Sequence, residues 1–286
     1  MIPAPFDYLA PTTLDEAISA LGAHGDDAKL LAGGHSLLPM LKLRLATPKT
    51  LIDLRRIPDL REVREEGGKI SIGALTTHYE VESSELLKRK CPLLPMTAQR
   101  VGDVQVRNRG TIGGSLAHAD PAADWPAAIL ALGGELKLHG PKGERWLSAE
   151  DFFIDMMTTV LEPAEILTAI RVPVLTPQSG TAYLKMPQKA SGFAIIGIAV
   201  WLDVAQSRSV NAIGIGVTGL TSKPFKAINV EAGLRGKRLS RQVIKEAAEP
   251  VTDGVSALDD IHASKDFRAH LARIYTAKAI EEAARL

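Results

Sequence analysis

The sequence predicts an α+β protein of two domains, and three observations carry that expectation. Strand, glycine bend, helix and strand follow one another within the first 55 residues, the order of a small parallel unit. Three apolar runs between Thr181 and Leu220, joined by short polar turns, read as a three-stranded antiparallel meander. Between them, Pro173-Val174-Leu175-Thr176-Pro177-Gln178-Ser179-Gly180 combines two prolines with a polar, glycine-ended tail, which suits a linker. The expected domains are residues 1–176, with subdomains of about 1–55 and 56–176, and residues 177–286. A chain of 286 residues has room for both, at roughly 100–200 residues each.

The elements follow in order. Thr13-Leu14-Asp15-Glu16 has the form of a capping box, and Ala17, Ile18 and Leu21 continue a helix that Gly22 is expected to end. Residues 29–32 read as a short buried strand stopped by Gly33-Gly34. Ser36 then caps a helix over 37–43, and residues 50–53 return as a strand. Strands are expected at 69–73, 135–139 and 166–172, with helices over 77–87 and 126–132, the latter opened by a proline. The meander strands fall at 181–186, 194–204 and 210–220. A final helical region follows, in which Phe267, Leu271, Ile274 and Ala277 recur at helical spacing.

Composition excludes several classes. The 34 basic and 33 acidic residues leave a net charge of +1, and no Lys/Arg run exists to bind nucleic acid. No stretch approaches the ~18 uninterrupted apolar residues of a membrane span. Met1-Ile2-Pro3-Ala4-Pro5 lacks the basic and apolar regions of a secretory signal, so a cytoplasmic protein is expected. Cys91 is the single cysteine, which rules out an internal disulfide and an all-cysteine zinc or iron–sulfur site; no metal site is expected. Gly214-Ile215-Gly216-Val217-Thr218-Gly219 matches the dinucleotide fingerprint in letters alone. Ile213, Ile215 and Val217 alternate through it as in one strand, and Pro224 would break the helix that must follow. Close packing of another element explains these glycines better.

Two other glycine bends have the chemistry of a diphosphate site. Ala32-Gly33-Gly34-His35-Ser36 follows a strand and leaves main-chain amides unshielded, with the Ser36 hydroxyl beside them. Arg109-Gly110-Thr111-Ile112-Gly113-Gly114-Ser115 repeats the pattern, and Asp124 beyond it suits a ribose hydroxyl or the start of the next helix. Either bend alone also reads as a plain tight turn. Together they are expected to converge on one diphosphate through main-chain nitrogens.

With Gln105-Val106-Arg107-Asn108 before the second bend and Ala119-Asp120-Pro121-Ala122-Ala123-Asp124 after it, the chain resembles the FAD-binding medium subunit of molybdenum hydroxylases. The resemblance implies a two-lobed FAD-binding domain, then a C-terminal domain of three antiparallel strands with a helical bundle. It implies that Ala32, Gly33, Gly34, His35 and Ser36 wrap the FAD pyrophosphate, and that Thr111, Gly113, Gly114 and Ser115 meet it from the other side. Asp124 matches a ribose ligand, and Ile166-Leu167 a strand whose backbone meets adenine. Lys185 and Phe193 match a cation and an aromatic near the isoalloxazine; a solvated strand edge also suits Lys185, and a core position also suits Leu167 and Phe193. His35, Gln188 and Gly192 depart from the family's usual residues. His78 is expected as a surface or helix-cap histidine. A β-branched residue at Gly33 or Gly114 is expected to abolish flavin retention while leaving the fold largely intact.

The function implied is an electron-transfer subunit with no catalytic residue of its own, fed by two [2Fe–2S] clusters and discharging to an external acceptor. An iron–sulfur small subunit and a large subunit holding the molybdenum cofactor are the implied partners, in a heterohexamer built as a dimer of heterotrimers. A self-sufficient flavoprotein oxidoreductase and a flavin-free scaffold subunit remain the alternatives.

Overall fold

A computed structural model describes residues 2–285. The first lobe comprises β1 (Asp7–Leu9), α1 (Leu14–His24), β2 (Ala28–Leu31), α2 (Leu37–Lys42) and β3 (Thr50–Asp53). Its sheet runs β1-β3-β2, both pairings parallel, so the expected parallel unit is present with one more strand. Helix α1 passes through Gly22 and stops at Gly25, whose φ of +52° is the conformation that glycine tolerates. Thr13 accepts from the Glu16 amide, while the Glu16 carboxylate takes the Thr12 amide rather than that of Thr13. Ser36 stands at the start of α2 but makes no capping bond.

The second lobe begins with β4 (Val63–Glu66) and β5 (Lys69–Gly73). Six short helices follow: α3 (His78–Ser83), α4 (Glu85–Lys90), α5 (Leu93–Ala98), α6 (Val104–Arg109), α7 (Ile112–His118) and α8 (Trp125–Ala131). The chain continues through β6 (Glu135–Gly140), β7 (Gly143–Ser148), α9 (Ala149–Phe152), β8 (Phe153–Asp155), β9 (Thr158–Thr159) and β10 (Ile166–Pro173). The main sheet runs β4-β5-β10-β6-β7 with every neighbour antiparallel. The single helix expected over 77–87 is two: Ser84 leaves the helical region (ψ 115°) and its hydroxyl caps α4 by accepting from the Leu87 amide. Trp125, Phe152, Ile70 and Ile72 are fully buried in the core of this lobe.

The third unit contains β11 (Gly180–Pro187), β12 (Ala194–Val204), β13 (Val210–Thr218), β14 (Phe225–Lys226), α10 (Ile228–Leu234), α11 (Arg241–Ala248) and α12 (Lys265–Ala284). The sheet is an antiparallel meander of four strands rather than three, because two residues after Pro224 pair with Gly216 and Val217. The buried face of α12 carries Arg268, Leu271, Ala272, Thr276, Ala279, Ile280 and Ala283, so the face marked by Phe267 and Ile274 is rotated out of the core.

The fingerprint glycines lie within β13, where α8 packs directly onto the strand. A Cβ on Gly214 would stand 3.0 Å from the Ala131 carbonyl carbon, and one on Gly216 2.7 Å from that of Ala127. No dinucleotide bend exists there; the missing side chains let the second lobe and the third unit meet. Gly216→Ala is therefore expected to destabilise the protein by about 1–3 kcal/mol, measured by denaturant titration. Unchanged stability would show that α8 moves aside freely.

Candidate functional site

Strand β2 delivers Ala32 to the first bend, at the edge of the parallel lobe. A Cβ on Gly33 would stand 2.6 Å from the Gly110 Cα and closer still to the Arg109 carbonyl oxygen. The two bends are therefore in van der Waals contact, main chain against main chain. Gly34 has a φ of +82°, which turns successive amides toward one side. Among the described residues, the amides of Gly33, Gly34, His35, Ser36 and Leu37 find no acceptor; the first bond of this segment is Leu38 N to Gly34 O, 2.9 Å. Five unpaired donors on half-buried or exposed main chain form a nest for an oxyanion.

The second bend is bonded differently from the first. The Ile112 amide donates to Thr76 O (3.0 Å), that of Gly113 to Ala74 O (2.9 Å) and that of Ser115 to Thr111 O (3.0 Å). The Gly114 amide donates to Thr111 Oγ1, 3.1 Å, as the cap of α7. The amides of Ile112, Gly113, Gly114 and Ser115 thus already have acceptors within the protein, while that of Thr111 has none among the described residues. Gly113 is a packing glycine, its Cβ position 2.7 Å from the Ala74 Cα. Gly114 faces the first bend across an open wall, its Cβ position 3.4 Å from the Ala32 Cβ. Ser115 presents a hydroxyl without a partner among the described residues.

Asp124 and Lys185 form the electrostatic centre. Asp124 opens α8, yet its carboxylate makes no cap bond and is only 5% exposed. It accepts from Lys185 Nζ, 3.0 Å, and from the Tyr183 hydroxyl. Lys185 reaches down from β11 and also donates to the carbonyls of Arg100 and Gly192; its side chain is 4% exposed, so the solvated-edge reading fails. Burial pushes the Asp124 carboxyl above its usual range against the pull of the Lys185 ammonium, and burial beside that carboxylate carries the Tyr183 phenol well above its own. Asp124 is thus turned inward to Lys185 and Tyr183. Tyr183 escaped the sequence reading, although a strand spacing of two from Lys185 puts both on one face. Gly197 makes space for it, a Cβ there falling 2.7 Å from the Tyr183 Oη.

Ile166 and Leu167 are buried on β10 beyond the point where β5 ceases to pair with it, at Ala169. Ile166 belongs to the same buried cluster as Leu75, the one against which the half-buried Ala32 packs. Phe193 is not a core residue: it is 44% exposed, at the end of a turn closed by Gln188 N to Phe193 O, 2.8 Å. His35 is exposed on the first bend. His78 is 4% exposed, correcting the expected surface position. Thr77 provides the cap of α3, and the His78 ring packs on Trp125, whose Nε1–H donates to His78 Nδ1, 3.0 Å. Burial holds its pKa down to about 3, so the ring is neutral at physiological pH.

Fold and site together define an α+β dinucleotide-binding protein outside the Rossmann class. Residues 4–175 match the family described as the FAD binding domain in molybdopterin dehydrogenase, and residues 181–283 match the CO dehydrogenase flavoprotein C-terminal domain. The carbon monoxide dehydrogenase medium chain of Hydrogenophaga pseudoflava is 39% identical over 283 residues, covering 99% of this chain and 98% of the relative. The glyceraldehyde dehydrogenase medium chain of Sulfolobus acidocaldarius is 35% identical, covering 99% of this chain and all of the relative. A solved carbon monoxide dehydrogenase from Hydrogenophaga pseudoflava, lacking the Mo-pyranopterin moiety of its molybdenum cofactor, superposes with a TM-score of 0.96 at 40% identity, over 99% of this chain and 98% of that one. The chain belongs to the family of FAD-binding medium subunits of molybdenum hydroxylases. It is an oxidoreductase subunit, and no helix among the described residues is long and apolar enough to cross a membrane.

Proposed function

We propose that this chain is the FAD-holding electron-transfer subunit of a heteromeric molybdenum hydroxylase, and one observation carries the reading. The first bend offers five unpaired amides against a wall formed by the second, an arrangement that suits the FAD diphosphate. Ser36 and Ser115 add hydroxyl donors at the rim. The backbone end of β10 at Ile166 and Leu167 is available to the adenine. Lys185, fixed by Asp124, Arg100 and Gly192, keeps a positive charge in place for the flavin ring, and Phe193 stays exposed for contact with it. Bound FAD supplies the exchange between one-electron and two-electron carriers.

No group of this chain is required to move a proton in that task. The chain has one cysteine, so thiolates for [2Fe–2S] clusters come from another subunit. The assembly is a dimer of heterotrimers, a cytoplasmic heterohexamer with an iron–sulfur small subunit and a molybdenum-binding large subunit, passing electrons to an external acceptor. Residues 1–176 and 177–286 act as its two domains, with the Asp124–Lys185 pair between them.

Purification of the chain alone, then with its partners, tests this. A yellow chain that carries FAD, turns over no substrate alone, and is bleached by substrate once the partner subunits are added supports the reading. A colourless chain that still joins the partners, or a chain that oxidises a substrate unaided, overturns it.

A further inference from the structure

We propose that Arg268 is a positioning residue of the flavin site: through Gly219 and Thr218 it holds the segment Pro121–Ala123, and so sets Asp124 against Lys185; this rests on the reading above. Arg268 is 4% exposed on α12. Its Nη1 donates to the carbonyls of Ile195 and Gly219, both at 2.7 Å, and its Nη2 to Asp260, also at 2.7 Å. Its Nε–H is buried without an acceptor among the described residues. Burying a guanidinium in this way is costly, and an apolar side chain of similar size would fill the space without that cost. What the cation adds is the convergence of two carbonyls on one nitrogen.

Those carbonyls come from the start of β12 and from the turn after β13. Gly219 has a φ of +81°, and a Cβ there would stand 2.8 Å from the Ala194 carbonyl oxygen, so bare main chain lets the two strand ends close on Arg268. The residues of this clasp and their neighbours donate in turn to the second lobe. The Gly219 amide donates to Pro121 O, 2.7 Å, and the Ala194 amide to Ala122 O, 3.0 Å. The Thr218 hydroxyl stands 2.8 Å from Pro121 O and 2.7 Å from Ala123 O. Three consecutive carbonyls ahead of Asp124 therefore take their bonds from the third unit. Asp124 follows directly, and its partners Tyr183 and Lys185 stand on β11 of the same sheet. One sheet, tied at its end by Arg268, thus locates both the main chain leading to the acid and the cation that faces it. Phe193 immediately precedes Ala194, so the turn that carries it leaves from the same clasp.

Thr218→Val removes the hydroxyl with little change of shape, Arg268→Met removes the guanidinium, and Arg268→Lys returns one charged donor. Each full chain is loaded with FAD and reduced beside a reference dye. FAD is expected to stay bound in all three, because the amides of the first bend are untouched. In Thr218→Val and Arg268→Met the ratio of reduced to oxidised flavin at a fixed dye ratio is expected to fall roughly tenfold, the order for a cation displaced from a ring that gains negative charge. The visible flavin absorption is expected to shift with it, and Arg268→Lys to return toward wild type on both measures. Wild-type reduction and spectrum in the folded variants overturn the proposal and leave the flavin reading intact. A lowered melting temperature with unchanged reduction assigns Arg268 to packing alone and also overturns it. Should Arg268→Met fail to fold, Thr218→Val decides by itself, unchanged reduction overturning the proposal. Failure of the wild-type chain to bind FAD sinks the parent reading and this one with it.

Discussion

Gly33→Val loses both FAD and stability. The added Cβ falls 2.6 Å from the Gly110 Cα and against the Arg109 carbonyl, and both obstacles are main chain that no rotamer change can clear. The bends must separate, which scatters the five free amides and opens the junction between the first and second lobes. Flavin absorbance per chain is expected to fall below roughly a tenth of wild type, with about 1–3 kcal/mol of stability lost in denaturant titration. The variant thus does not leave the fold largely intact, as the sequence alone suggests. Gly114→Ala is the milder comparison. Its Cβ stands 3.4 Å from the Ala32 Cβ and 2.7 Å from Thr111 Oγ1, a hydroxyl that can rotate away by surrendering a helix cap. Full FAD content and full stability in Gly33→Val would show that the bends do not meet.

Lys185→Met is expected to be at least as severe, by another route. It leaves the Asp124 carboxylate buried beside Tyr183 with its counter-charge removed, which costs about 3–5 kcal/mol when one partner of a buried pair is lost. The loss has a definite pH dependence. Burial already raises the Asp124 carboxyl, and the Lys185 ammonium is the strongest influence pulling it down. Without it the folded-state pKa climbs further above the ordinary value of the unfolded chain. A carboxyl raised in this way contributes stability below its unfolded pKa and loses it as pH rises through the folded one. Lys185→Met is therefore expected to be closer to wild type at pH 5 than at pH 8. Asp124→Asn in the same chain is expected to recover much of the loss at pH 8, and a pH-independent deficit would refute the account.

Legibility in the sequence followed the range of the forces at each position. The first bend, the bounds of β12 and the decoy at Gly214–Gly219 were readable because local apolar alternation and glycine spacing determine them. Strands β1 and β14, three and two residues long, exist only through their partners β3 and β13, and no local period marks them. The phase of α12 was hidden by Arg268. An apolar count places a guanidinium in solvent, yet this one is buried, donating to the carbonyls of Ile195 and Gly219 and to Asp260. In the site, the glycines were found by type, but type does not tell a free amide from an occupied one. Gly33 fronts the nest; Gly113 fills a gap over Ala74. His78 was missed because its partner, Trp125, is remote in sequence, and Tyr183 because a lone tyrosine on a strand is ordinary.

The ion pair between Asp124 and Lys185 bears on inheritance. Its acid belongs to one of the two family modules that make up the chain and its base to the other, with α8 pressed on the glycines of β13 close by. A hybrid that joins the front half of this protein to the rear half of a relative would have to match charge and side-chain size across that seam at once. Recombination at the linker is therefore expected to give few stable products.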